Sequence, residues 1–494
     1  MEKVAIIELN ERALNLSIYK ISNGKSLLCL SKTQAFRLGE EIDNDELINP
    51  KTKNDILEIL RIYRKLIEDY DVEKIIPVCT SVILKARNYR GFFDEIYNNT
   101  GLNFAILNDE EYIKSLFNSV VNNIDSAKGV FVYVGAYSSY IVKYNRRAIL
   151  SSVTIPLGTF NTKLVDNDMD KTIDYLKSQI SIGNILQDVD VDGKFVGIGV
   201  SFLALGKIAK KIMRYPLDVD NNFIISRENI DKTIAFFKTL DLDKVKKIKG
   251  IDGDNADKLA TGFALIQAIL SHINLTEITI STSNMVSGQL QMNVLNLSSE
   301  RFNDLLSNSL DNYYEFTKDE FSINPSVYNM ATILFKQLKV MHKLPRFYVK
   351  PLRIASFMYD SGKCINAREY TKYGFEKIVY SDIAGATHRE LLLAGFICVC
   401  QNLDDFSLNE WIKYKDILLE EDLDAVRKLG IIVKLAVALN ASRKPVVQDI
   451  VCDILGDSII MKTVVEGDAT YEILEGMKVA SDYRKVYKKS LQII

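Results

Sequence analysis

The same three-strand pattern occurs twice near the start of this chain, and no other feature limits the fold as much. Val4–Leu9, Leu14–Ile21 and Ser26–Gln34 are apolar or alternating runs separated by polar turns. Gly129–Val134, Ser139–Tyr144 and Ala148–Pro156 repeat the arrangement about 125 residues later. Helices and strands alternate after each meander. Ile56, Ile59, Leu60, Tyr63 and Leu66 recur at helical spacing and predict a helix over Asp55–Tyr70. Strand Lys74–Cys79, helix Leu84–Asn98, strand Asn103–Leu107 and helix Asp109–Asn123 complete the first unit. Strand Phe195–Gly199, helices Leu203–Arg214 and Ala256–Ile273, and strand Glu277–Thr282 complete the second. This alternation specifies an α/β fold. Its duplication specifies two lobes with a cleft, where ligands sit at the carboxyl ends of the strands.

The chain has 494 residues, too many for one core. From Ser299 onward the pattern is helical, clearest at Leu305–Phe316, Val327–His342, Tyr348–Tyr359 and His388–Val399. Near the end Val446–Cys452, Ser458–Val465 and Ala469–Ile473 read as strands and Ala480–Lys488 as a helix. We therefore expect lobes at 1–125 and 126–298, a mostly helical domain at 299–444 and a small α+β domain at 445–494. Net charge is −2, so no global field draws the molecule to nucleic acid or membrane, and any polyanion site must be a local basic patch. Six scattered cysteines give no disulfide framework, Met1–Glu8 reads as a strand and not a leader, and Leu391–Cys400 is too short to span a bilayer. These features point to the cytoplasm.

Seven short stretches carry the chemistry. In order they are Glu8-Leu9-Asn10-Glu11-Arg12-Ala13, Arg37-Leu38-Gly39-Glu40, Cys79 to Asn88, Glu110-Glu111-Tyr112, Tyr133 to Tyr140, Pro156-Leu157-Gly158 and Gly197-Ile198-Gly199-Val200-Ser201. Together they resemble the motifs of the Ppx/GppA family, bacterial exopolyphosphatases and guanosine-pentaphosphate phosphatases. The resemblance implies a duplicated actin-like ATPase superfold with an interlobe cleft, followed by a helical HD-like domain. It implies release of terminal phosphate with Mg²⁺, and Glu111 as the carboxylate that activates water. It assigns phosphate contacts to Asn10, Arg37, Gly135, Ser138, Ser139, Gly199 and Ser201, a metal carboxylate to Glu8, and a homodimer as the assembly.

Several positions depart from the family pattern. Glycine loops let backbone N–H groups approach phosphate oxygens, and a side chain there blocks the approach. Gly135 is kept, but Ala136 and Tyr137 follow where glycines belong. Asn10 replaces a glycine and Glu11 a small hydroxyl residue, bringing a carboxylate beside the phosphate ground. Tyr133 and Tyr140 stand where the second loop should supply acids for the metal. Leu84 replaces the loop arginine, and Arg87, three positions on, points to another helix face. Tyr359-Asp360 replaces the His-Asp pair of the HD-like domain and Arg368-Glu369 its expected histidines, so no metal is expected there.

Two further features have competing readings. Lys207, Lys210, Lys211 and Arg214 share one helix face and form either a polyphosphate track or a solvated surface. Tyr112, Tyr133, Tyr137 and Tyr140 either stack a nucleotide base or fill the volume a phosphate would have used, and we prefer the second. Glu111 also reads as a plain helix N-terminal carboxylate beside Asp109 and Glu110. The expectation is a family member with catalysis impaired or lost. It would bind polyphosphate, a guanosine tetra- or pentaphosphate, or a partner protein in the cleft. The alternative is an active Mg²⁺-dependent exopolyphosphatase using Glu111.

Overall fold

The computed structural model describes residues 1–42, 46–182, 193–251, 253–296, 304–320 and 322–494, with backbone alone at 254 and 255. The boundary expected at Ser299 lies outside them. The chain forms two compact units, Met1–Leu305 and Leu306–Ile494.

In the first unit β1 (Glu2–Leu9), β2 (Ala13–Ser22) and β3 (Lys25–Ala35) make an antiparallel meander. It is followed by α1 (Pro50–Asp69), β4 (Lys74–Thr80), α2 (Tyr89–Thr100), β5 (Ala105–Leu107) and α3 (Asp109–Val121). The sheet order is β3-β2-β1-β4-β5, with β4 parallel to β1 and β5 parallel to β4. β1 is buried on both faces, which is why it reads as a continuous apolar run. Ala5, Ile7 and Leu9 pack with α1 and α2, whereas Ile6 packs with Leu116, Phe117 and Val120 of α3. α1 begins upstream of its apolar stripe because Asn49 caps the Lys51 amide and Pro50 suits the first turn.

The helix expected over Leu84–Asn98 is corrected. Ser81–Lys85 is a 3-10 turn, Ala86 is extended at ψ 122°, and α2 starts at Tyr89. The Asn88 side chain accepts the Ile48 amide at 3.0 Å, tying this break to the preceding loop. Leu84 and Arg87 are therefore not on a common helix, and Arg87 pairs with Glu46 at 2.7 Å.

The second half runs β6 (Lys128–Val134), β7 (Ser139–Asn145), β8 (Ala148–Ile155), α4 (Met169–Gln179), β9 (Lys194–Ile198), α5 (Val200–Met213), β10 (Phe223–Ser226), α6 (Arg227–Phe237), α7 (Leu242–Lys246), α8 (Leu259–Ser271), β11 (Glu277–Ser281) and α9 (Met285–Asn293). Its sheet order is β10-β11-β9-β6-β7-β8. Read from β8 to β11, order and strand directions repeat those of the first sheet, and β10 is an added antiparallel edge. α8, apolar on nearly all sides, fills the core with Phe202, Leu205 and Phe237.

The second unit contains α10 (Leu305–Thr317), α11 (Asn324–Gln337), α12 (Lys339–His342), α13 (Val349–Phe357), α14 (Tyr370–Val379), α15 (His388–Val399), α16 (Leu408–Ile412) and α17 (Asp422–Ala438). β12 (Val447–Ile454), β13 (Ser458–Val465), α18 (Thr470–Lys478), α19 (Ala480–Tyr487) and β14 (Ser490–Ile493) follow, with sheet order β12-β13-β14. The strand expected at Ala469–Ile473 is instead the start of α18, where the Asp468 carboxylate accepts the Thr470 amide at 2.9 Å. Cys398 and Cys400 are fully buried in and just after α15. Among the described residues no helix is long and apolar enough to cross a membrane.

Candidate active-site cleft

The carboxyl ends of β1, β4 and β6 bring their loops to one cavity of about 310 Å³. Glu11 enters from the β1 loop, Thr80, Ser81 and Lys85 from the turn after β4, and Asp109 and Tyr112 from α3. Tyr133, Gly135, Ala136, Tyr137, Ser138 and Tyr140 come from β6, its loop and β7, and Asn161 closes the rim. Tyr112, Tyr133 and Tyr140 form a triangle with centroids 5.8–6.0 Å apart. The Tyr112 and Tyr133 hydroxyls meet at 3.0 Å, and the Tyr140 hydroxyl donates to Asp109 Oδ1 at 3.3 Å. Across from them Lys85 Nζ sits 3.5 Å from the Tyr137 ring centroid. The four tyrosines thus line a cavity and do not fill it.

Both loops are held by their own chain. Asn10 Oδ1 accepts the Arg12 and Ala13 amides at 2.9 and 2.8 Å, so this side chain seals its own turn. The Gly135 amide donates to Ser138 O at 3.1 Å. A Cβ at Gly135 would lie 2.4 Å from that oxygen, so the tight turn requires glycine. Asn161 clamps the second loop, accepting the Gly158 amide at 2.7 Å and donating to Tyr137 O at 3.0 Å. The Tyr137 ring presses on Gly39, where a Cβ would lie 2.2 Å from its hydroxyl.

Of the residues given phosphate, metal, catalytic or polyanion roles from the sequence, only Gly135 and Ser138 line the cavity, although Glu11 and the four tyrosines noted there line it too. Glu8 is buried behind it, with Oε2 accepting from Asn15 at 2.7 Å. Ser139 is buried and donates to Leu157 O at 2.8 Å. Gly199 caps α5 at φ 96°, and Ser201 is buried against Gly262 of α8. Arg37 pairs with Asp257 through two contacts of 2.7 and 3.1 Å. Glu111 is exposed, and its carboxylate accepts the Asn108 amide at 2.9 Å in the cap of its own helix. The basic stripe also fails as one open face. Lys210 is 6% exposed and pairs with Asp220 at 2.6 Å, and Lys207 donates to Gly250 O at 2.7 Å. Lys211 and Arg214 alone remain exposed.

A sequence model of the Ppx/GppA phosphatase family matches residues 17–295, more than half of the chain. The chain belongs to the Ppx/GppA family. A bifunctional 3-dehydroquinate synthase/phosphatase of Fusobacterium nucleatum is 19% identical over 315 residues, covering 59% of this chain and 46% of that protein. The chain thus spans about half the length of that relative. The crystal structure of the Aquifex aeolicus Ppx/GppA family member aligns at a TM-score of 0.52 and 19% identity, covering 60% of this chain and 98% of that one. An exopolyphosphatase of Cytophaga hutchinsonii aligns at 0.53 and 16%, with the same coverage of 60% and 98%. At such identities the likeness establishes the actin-like α/β fold.

This Ppx/GppA cleft carries buried acid. Burial raises the carboxyls of Glu8 and Glu11 above the ordinary range, and hydrogen bonds from Asn10 and Asn15 offset the rise at Glu8 only in part. Burial likewise pushes Tyr133 and Tyr137 up to about 12, so both stay neutral donors. The folded state holds the Glu11 proton more tightly than the unfolded state does. That contribution to stability is complete below the ordinary carboxylate pKa and is lost as pH rises through the raised folded value. Relative to Glu11→Gln, wild-type stability should therefore fall as pH climbs through and beyond the carboxylate range. Urea unfolding of both proteins at a series of pH values checks this, and parallel curves would mean a solvated carboxyl. Asp109, Asn161 and Lys85 were not legible as cleft residues. The one available signal was the Asn108-x-x-Glu111 capping pattern, which commits Glu111 to the helix end.

Proposed function

We propose that this Ppx/GppA chain is catalytically silent toward phosphoanhydrides and keeps its cleft as a binding site. The observation that carries the reading is the cavity lining, with Glu11 and Asp109 beside tyrosine walls on the ground where bare loops would meet phosphate. A phosphate charge about 4 Å from an ionised carboxylate is repelled by about 4 kcal/mol at an effective dielectric of 20. Phosphoryl transfer depends on positioning and charge neutralisation, and a base without these is a poor catalyst.

Mg²⁺ does not fit the donor set. Tyr133 and Tyr140 stack at an interplanar angle of 11° in place of the second-loop acids, and the Glu8 carboxylate is engaged by Asn15. Among the described residues no group of three or more His, Cys, Asp or Glu side chains could hold a metal ion. The helical region after Leu305 is read as a packing module, with Asp360 bonded to Asn324 at 3.1 Å and to Lys363 at 3.0 Å. Polyphosphate, alarmone and homodimer remain proposals carried by the family resemblance.

The test is phosphate release from long-chain polyphosphate and from guanosine pentaphosphate, with Mg²⁺, for wild type and Glu111→Ala. Neither protein should release phosphate above the buffer rate. Mg²⁺-dependent release that disappears in Glu111→Ala would overturn the reading and restore the exopolyphosphatase alternative.

A further inference from the structure

We infer that the interlobe cavity is a receptor for a small organic cation, a primary amine, and not for phosphate. The inference rests on the reading that this cleft binds and does not hydrolyse. The cavity, about 310 Å³, lies at the small end of ligand pockets and suits a fragment-sized molecule.

Its chemistry is that of a cation site. Aromatic faces carry negative charge density and attract ammonium groups. One wall already does so, because Lys85 Nζ rests 3.5 Å from the Tyr137 centroid. The Tyr112, Tyr133 and Tyr140 triangle offers further ring surface, with Asp109 at its edge receiving the Tyr140 hydroxyl at 3.3 Å. Glu11 and Asp109 both line the cavity, and neither has an ion-pair partner within 4.0 Å among the described residues. Among the described residues Lys85 is the single cationic side chain of the lining, so two carboxylates face one ammonium. Thr80 is 4% exposed and its hydroxyl makes no hydrogen bond of ordinary length, although it lies near enough to Glu11 to offset part of that carboxyl's rise. An ammonium between these groups would bring a charged donor to carboxylates that have only neutral ones among the described residues, the Tyr140 hydroxyl at Asp109 and the Thr80 hydroxyl and a backbone amide at Glu11.

The other cations nearby are committed elsewhere. Arg12 donates to Thr159 Oγ1 at 2.7 Å and lies 5.3 Å from the Phe160 centroid. Arg37 holds Asp257, and Lys258 holds Glu40. None of the three lines the cavity. An anion entering would meet both carboxylates, with Lys85 in the lining and Arg12 acting from outside it on Glu11 and Tyr133.

Calorimetric titration of the full chain with diaminobutane, butanediol and inorganic triphosphate tests the inference. Diaminobutane should bind saturably, and butanediol and triphosphate should give no binding heat. Asp109→Asn should weaken diaminobutane about tenfold, a loss of about 1.4 kcal/mol. Glu11→Gln should weaken it similarly and reads independently if Asp109→Asn disturbs the fold, which near-UV circular dichroism of the tyrosines reports. Butanediol binding as well as the diamine would overturn the inference. So would triphosphate binding that diamine fails to displace, or folded variants with unchanged affinity. An inert diamine with no phosphate release sinks this inference and leaves the silent-phosphatase reading intact, whereas phosphate release sinks that reading as well.

Discussion

Gly288→Ala should destabilise the first unit by about 3 kcal/mol, at the upper end of ordinary overpacking. Gly288 lies in α9 where that helix crosses α3, and an added Cβ would stand 1.9 Å from the Ser115 carbonyl oxygen and 2.5 Å from its carbon. The obstacle is backbone, so no rotamer change relieves it and the helices must separate. They are tied by more than contact. Gln289 Nε2 donates to Ser115 Oγ at 2.7 Å, the Asn284 amide to Ser119 Oγ at 3.1 Å, and the Ser283 hydroxyl to Ser119 O at 3.2 Å. Ser115 and Gln289 are buried, so bonds lost on separation leave unsatisfied polar groups. α3 also delivers Asp109 and Tyr112 to the cavity, so the variant should weaken any cleft ligand as well. Hydrogen exchange of the α3 and α9 amides measures the effect, and it should accelerate markedly. Gly91→Ala is the control, because nothing lies within 4 Å of its added Cβ. That variant should be neutral or stabilising by up to about 1 kcal/mol. Equal behaviour of the two variants would mean that the α3–α9 approach is looser than described.

Much of the fold was legible because its signal is periodic and repeated. The two meanders read correctly since each strand is long enough to show alternation or a continuous buried run. β10 was missed because Phe223–Ser226 is too short to show any period, and α9 because its polar side and Gly288 weaken the helical pattern. At Ala469–Ile473 five residues could not separate a period of 2 from one of 3.6. The site was less legible, for a geometric reason. Glu111 and Asp109 are near neighbours on the first turn of one helix, and helical rotation alone sends one to the cap and the other to the cavity. The basic stripe failed because the loop through Asp218 and Asp220 folds back over Lys210, a long-range event that helix spacing does not encode. Four tyrosines spread over Tyr112 to Tyr140 showed that the phosphate ground had changed. That they would surround a cavity depended on how Asn161 and Lys85 hold the loops.

Asp422→Ala should cost the second unit about 3 kcal/mol, the lower end of the range for breaking a buried ion pair. Asp422 opens α17 at 0% exposure, and every bond to its carboxylate comes from elsewhere in the unit. Arg389 of α15 grips it through Nε and Nη2 at 3.0 and 2.8 Å. The Tyr348 hydroxyl donates at 2.6 Å and the Leu419 amide at 2.7 Å. Removing the carboxylate strands a guanidinium, a phenol and an amide together. Arg389 is 27% exposed and also lies 4.5 Å from the Phe347 ring centroid, so water recovers part of its loss, which is why the lower figure applies. Burial and the Asp422 contact both hold the Tyr348 phenol far above its ordinary pKa, and the variant should bring it down. The single tryptophan, Trp411, packs on Phe396 of α15 at 4.9 Å, so its fluorescence during urea unfolding reports this unit. The double variant Asp422→Leu with Arg389→Met should recover part of the loss, since it removes the stranded guanidinium and fills the space with apolar groups, while the Tyr348 hydroxyl and the Leu419 amide still lack their acceptor. A double variant no more stable than Asp422→Ala would mean that the carboxylate's bonds to Tyr348 and Leu419, and not its pairing with Arg389, hold the start of α17.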